Sequence, residues 1–200
     1  MHPAFLYLPG DRLTLPELSA ARLDGHVVEL GEGYIPADLV ECGPTRAASI
    51  ASIVPTGCAA SGPTAAWVHG AGDAPPIRYH VRRAVTRRIR PAPDRRLVFH
   101  DTMLRPEALV MIGGILVTAP VRTMIDLALA SLKDPVCLSW MGALESVCPG
   151  CARDALTELA ALRRVPGAAH ASAALARFGS DTRVLGTRSL AQDEVTRYTS

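Results

Sequence analysis

Lysine is almost missing from this sequence: Lys133 is the single lysine among 21 Lys and Arg residues. The bias fits the GC-rich codons of arginine and says little about function. Aromatic residues make up only 4%, so Ala, Leu and Val must fill the interior, as in small-residue helix packing. Cysteines number 5. An odd count with no export signal fits reduced thiols rather than a disulfide framework. The first ten residues lack a basic segment and hold only a short apolar stretch, so no export is expected. The apolar stretch from Ala108 to Val121 is too short for a bilayer and is broken by Gly113, Gly114 and Pro120. The expected location is the cytoplasm, with no membrane partner.

Catalytic signatures are missing as well. There is no G-x-x-x-x-G-K, no G-x-G-x-x-G after a strand, no G-x-S-x-G and no H-E-x-x-H. No paired carboxylates surround Lys133, which speaks against a metal-dependent nuclease. The reading is therefore of a protein that is not an enzyme, with no cofactor and no metal.

What is present is charge asymmetry. Asp11, Glu17, Asp24, Glu29, Glu32, Asp38 and Glu41 outnumber Arg12, Arg22 and Arg46 in the first 46 residues. Residues 77–96 instead hold Arg78, Arg82, Arg83, Arg87, Arg88, Arg90, Arg95 and Arg96 against Asp94 alone. With apolar residues at 48%, the chain can bury a core despite a nearly neutral net charge.

Local signals outline the elements. Thr14 and Glu17 have capping-box spacing, Pro16 suits a first helical turn, and Gly25 suits a left-handed stop. A helix over 15–23 follows. Two short strands over 26–30 and 34–36 around Gly31, Glu32 and Gly33 complete a helix-and-hairpin unit. Further helices are expected over 44–53, 64–69, 120–132, 135–147, 152–164 and 169–178. Residues 106–110 suit one helical turn, and Thr118 suits a cap. Strands are expected over 77–82, 87–89, 97–100 and 115–118. The last twenty residues read as polar and loosely held.

Three stretches resemble the AbiEi-type antitoxin and transcriptional-regulator family. Leu18 to Pro36 (LSAARLDGHVVELGEGYIP) is similar to the end of that family's winged helix. Ile112 to Ala128 (IGGILVTAPVRTMIDLA) is similar to the segment joining its middle region to its C-terminal helices. Ser61 to Gly70 (SGPTAAWVHG) also fits, and the resemblance covers roughly residues 13–130. It implies an α+β fold: a reduced winged-helix-like N-terminus over 1–42, a small mixed α/β middle domain over 43–130, and a helical C-terminal region over 131–200. It further implies binding to double-stranded DNA of the protein's own promoter and functional pairing with a nucleotidyltransferase-like toxin. The sequence departs from the family in three ways. Too few residues precede Leu15 for the two helices that normally come first. The hairpin carries Glu29 and Glu32, which repel phosphate. The nuclease domain of longer relatives has no counterpart here.

Several residues then become candidates. Ser19 and Arg22 on the first helix suit base contacts, because the arginine fork matches guanine O6 and N7. The alternative is a helix that only packs on the hairpin. Arg78, Arg82, Arg83, Arg87, Arg88 and Arg90 suit phosphate contacts, with Arg78, His80 and Arg82 sharing one strand face. The alternatives are a solvated face, a surface for an acidic partner, or a dock for the acidic N-terminus. Loss of DNA binding would leave a protein-interaction module of the same family. Cys148 and Cys151 form a C-x-x-C in which a helix N-terminus would activate a thiol. The cysteines show no second pair for zinc. His69, His100 and Asp101 read as helix-end and strand-end groups, and Arg122 with Asp126 as an i,i+4 ion pair.

Overall fold

The computed structural model of the chain describes residues 5–162 and 164–179. The loose tail expected over the last twenty residues lies outside these.

The first helix, α1 (Leu15–Leu23), starts where its capping box puts it. The Thr14 hydroxyl accepts from the Glu17 amide at 3.4 Å, and Glu17 accepts from the Thr14 amide at 2.7 Å. Two amides that the helix itself leaves unpaired are satisfied in this way. Asp24 and then Gly25, at φ +76°, end it. Strands β1 (Val27–Leu30) and β2 (Gly33–Pro36) follow as an antiparallel hairpin. Leu18 is the one fully buried residue of α1, packed with Val27 and Tyr34. The hairpin's opposite face buries Leu30 and Ile35 in a cluster with Ala47, Ile50 and Trp67.

Helix α2 (Gly43–Ser49) stops short of the expected Ile53. The Ser49 hydroxyl donates to the Arg46 carbonyl at 2.7 Å, and such back-bonding competes with the helical ladder. Strand β3 (Cys58–Ala60) was not anticipated, because Cys-Ala-Ala carries no alternation and little β propensity. Helix α3 (Gly62–Val68) is entirely buried. Strand β4 (Tyr79–Arg83) and β5 (Leu97–His100) pair in parallel.

The strand expected over 87–89 is absent. Arg83 explains this: its guanidinium donates to the carbonyls of Val85 at 3.2 Å and Thr86 at 2.8 Å, curling the chain back on itself. Pro91 and Pro93 prevent a ladder further on. Residues 106–110 are split between a 3-10 turn (Pro106–Ala108) and β6 (Leu109–Ile112), which pairs antiparallel with β7 (Ile115–Thr118). Thr118 does not cap the next helix. Ala119 holds the cap position, and the Thr118 hydroxyl pairs with that of Thr123 at 2.7 Å.

Four helices complete the described residues: α4 (Pro120–Ala130), α5 (Val136–Val147), α6 (Cys151–Ala161) and α7 (Ala168–Gly179). The fold is α+β. The main sheet has the order β5-β4-β3-β7-β6, with β3 central and parallel to β7. α4 lies between the sheet side and the other helices, and its Met124, Ile125, Leu127 and Ala128 share a core with Met141, Leu144, Leu159 and Leu175.

The β6–β7 turn is Gly113-Gly114, with φ +54° and +89°. Two positive φ values in succession favour the primed hairpin turn. A Cβ on Gly113 would sit 2.2 Å from the Pro44 carbonyl oxygen. Gly113→Ala is expected to destabilise the protein by about 2 kcal/mol or more, from backbone strain plus overpacking against α2, read as a lower urea midpoint.

Candidate nucleic-acid interface and an adjoining polar cavity

The arginine segment falls into two groups. Arg82, Arg83 and Arg96 are tied to carboxylates of the protein itself. Arg82 reaches Asp126 at 3.2 Å, Arg83 reaches Asp101 at 2.9 Å, and Arg96 reaches Glu32 at 2.6 Å and Asp94 at 3.4 Å. Arg87, Arg90 and Arg95 are exposed and have no ion pair among the described residues. Arg88 is 85% exposed and only grazes Asp101 at 4.0 Å. Arg78 is also exposed, its guanidinium donating to the carbonyls of Arg95 at 3.1 Å and Leu97 at 2.9 Å.

On α1, Ser19 is half-buried and Arg22 exposed. Arg22 pairs with Glu29 of β1 at 3.3 Å. Leu15 and Leu23 stand largely in solvent. The hairpin turn meets the arginine segment through Glu32 and Arg96, one of the intramolecular contacts that the charge asymmetry suggested.

The face shared by His80 and Arg82 is not a solvent face. Both residues line a cavity of about 450 Å³ closed by the start of α3, by α4, and by the α4–α5 and α6–α7 turns. His100 of β5 stacks on His80 with ring centroids 5.6 Å apart. Burial depresses the His80 imidazole to about 4, helped by His100 and Arg78 and opposed by Asp134. Burial and then Arg82 lower His100 in the same direction. Below them Asp126 receives Arg82 from β4 and Arg122 from its own helix, the latter at 2.8 Å. The predicted i,i+4 pair is therefore half of a three-residue cluster. Its other half was hidden because Arg82 and Asp126 meet only through the fold.

The Cys151 thiol of the C-x-x-C is not activated. Cys151 is the first residue of α6 and buried, and burial pushes its thiol up to about 12. Desolvation outweighs the helix N-terminus here. His69 ends α3 and lies 2.7 Å from the Thr118 carbonyl, tying α3 to β7. No three His, Cys, Asp or Glu side chains gather as a metal site would require among the described residues.

The family model for the AbiEi antitoxin C-terminal domain matches residues 56–177. The chain belongs to this family. No curated protein matches it. The AbiEi span takes in the whole main sheet, the arginine segment, the cavity and the helices from α3 onward, while α1 and its hairpin precede it. Membership supports an antitoxin's role within a toxin–antitoxin system. Among the described residues, no helix of this AbiEi-family chain is long and apolar enough to cross a membrane.

The Asp126 cluster gives an asymmetric prediction. Asp126→Ala strands two largely buried guanidinium groups and should destabilise the fold by about 3–5 kcal/mol in urea unfolding. Arg122→Met keeps the Arg82–Asp126 pair and should cost clearly less.

The histidines give a pH dependence. An unfolded chain protonates His80 near 6.5, whereas the folded protein keeps it neutral down to about 4. Between those values the unfolded state binds more protons, so stability is present above about 6.5 and is lost as pH falls toward about 4. The urea midpoint should drop between pH 7.5 and pH 4.5. His80→Gln should flatten the drop, and an unchanged slope in that variant would contradict the assignment.

Proposed function

We propose that this AbiEi-family protein is a DNA-binding antitoxin that regulates its own promoter and acts without catalysis. Arg87, Arg90 and Arg95, with the neighbouring Arg78 and Arg88, contact backbone phosphates. The helix-and-hairpin unit serves as a reduced winged helix and offers Ser19 and Arg22 to base edges. The observation that carries the phosphate role is the exposure of Arg87, Arg90 and Arg95 with no carboxylate of the described chain within ion-pair reach. Guanidinium groups left unpaired on a surface are available to phosphate oxygens. The Glu32–Arg96 bridge supports joint action, since it anchors the hairpin turn beside that segment. The functional counterpart is a nucleotidyltransferase-like toxin in the cytoplasm, as the family resemblance implies. Arg82 and Arg83 have little part in this role, because their guanidinium groups are already used inside the protein.

One observation favours a second reading. Arg22 is held by Glu29 while Leu15 and Leu23 are exposed on the same helix, which suits a protein-interaction module that has lost DNA binding.

Salt titration separates the two. Binding to the upstream promoter fragment, followed by fluorescence anisotropy from about 50 to 200 mM salt, should weaken steeply. Replacing Arg87, Arg90 and Arg95 together by Gln should lower the salt slope by roughly 3, at about 0.9 for each phosphate no longer neutralised. No binding at the lowest salt, or a triple variant with unchanged slope, rejects the phosphate role and leaves the interaction module.

A further inference from the structure

The ion-pair cluster at the wall of the cavity that holds His80 and His100 has a charge imbalance that the DNA reading does not use. Asp126 is shared by Arg82 and Arg122, so one carboxylate answers two guanidinium groups. No second carboxylate lies within ion-pair distance of either arginine among the described residues. Arg122 lines a separate groove together with Glu107 and Glu158, neither of which is within ion-pair distance of it, so Arg82 is the cluster's cation that faces the cavity. The side chains of Arg82 and Arg122 are only 14% and 19% exposed, and the Nε of each, like both carboxylate oxygens of Asp126, is buried without a hydrogen-bond partner. An excess positive charge held away from water is costly unless an anion answers it. Burial lowers the Arg82 pKa from its ordinary value, with Asp126 opposing the shift and Arg122 adding to it.

The walls above this charge are suited to an anion. Lys133, the sole lysine of the chain, stands at the rim. The two imidazoles are neutral near pH 7, and with His100 Nε2 3.5 Å from His80 Nδ1 one of their two N–H groups is used between the rings and the other is left to donate to a ligand. Asp134 at the rim is the one carboxylate set against them, besides Asp126. The cavity is also larger than a bare oxyanion needs. Its volume of about 450 Å³ falls in the range of small-molecule sites, and Pro63, Leu129, Leu132 and Pro166 supply apolar wall.

We infer that this cavity binds a phosphorylated small molecule of mononucleotide size, with Arg82, Lys133 and the free N–H of the His80–His100 pair meeting the phosphoryl group. The apolar wall takes the uncharged remainder of the ligand. This site is distinct from the exposed arginines proposed for duplex DNA, and neither claim needs the other.

The test uses the full chain at fixed ionic strength. Thermal unfolding and calorimetric titration are run with inorganic phosphate, with each common nucleoside 5′-monophosphate, and with the matching nucleosides. At least one monophosphate should bind saturably and raise Tm by several degrees. Its nucleoside should bind about tenfold or more weakly for want of the charged group. Inorganic phosphate should also bind more weakly, for want of the apolar contact. Lys133→Met changes an exposed side chain and should cost about tenfold in affinity with Tm of the free protein unchanged. Arg82→Gln, which keeps the Arg122–Asp126 pair, should cost at least as much. The inference is overturned by no saturable binding of any monophosphate. It is equally overturned by nucleosides or bare phosphate binding as tightly, or by full affinity in Lys133→Met.

Discussion

Asp126 keeps 3% of its side-chain surface in solvent while Arg122 and Arg82 converge on one of its oxygens. The two arginines come from different layers, Arg122 from α4 and Arg82 from β4. A hydrophobic contact between a helix and a sheet tolerates sliding; an ion pair with fixed N–O distances does not. The cluster therefore ties β4 to α4, which packs on α3 and carries the core shared with α6 and α7. Such a cluster adds little net stability compared with apolar residues of equal volume. Its effect lies in register and in the polar cavity above it.

That constraint also sorts the arginines. A run of eight arginines in twenty residues reads as one basic surface. In the fold, Arg82 faces inward to α4, Arg83 ties up the loop that follows its own strand, and Arg96 reaches back to the hairpin. The exposed remainder, Arg78, Arg87, Arg88, Arg90 and Arg95, lies outside the strands. Positive charge available to an external phosphate is thus concentrated in the loop that Arg83 shapes.

Legibility in the sequence followed the distance between interacting partners. The Thr14–Glu17 capping box and the Gly25 stop could both be read, since each is decided within a few residues. So could the helices of the C-terminal half, whose apolar periodicity is strong, whereas β6 and the Gly113-Gly114 turn that pairs it with β7 were not read. β3 could not be, because a central strand of Cys58, Ala59 and Ala60 is specified by what packs on both faces and not by its own side chains. The inward turn of Arg82 was equally hidden. Alternation correctly put Arg82 and His80 on one face, but only the fold shows α4 covering that face. The cavity failed to register for the same reason: its lining comes from strands, helices and turns far apart in the chain, which only the fold brings together.

The position of the helix-and-hairpin unit follows from burial and not from where the AbiEi match begins. The match starts at residue 56, after α2. Yet Leu30 and Ile35 of the hairpin are buried in the cluster that contains Ile50 and Trp67, and Trp67 lies within the match. Arg46 strengthens that seam: it pairs with Glu41 at 2.8 Å, donates to the Trp67 carbonyl at 2.9 Å, and stacks over the indole at 5.3 Å. Pulling the hairpin away would expose Leu30 and Ile35, uncover Ile50, and leave Glu32 and Arg96 without each other. α1 packs through Leu18 on the other face of the hairpin, so the hairpin stands between α1 and the main core, with Glu32 and Arg96 joining its turn to the edge of the main sheet.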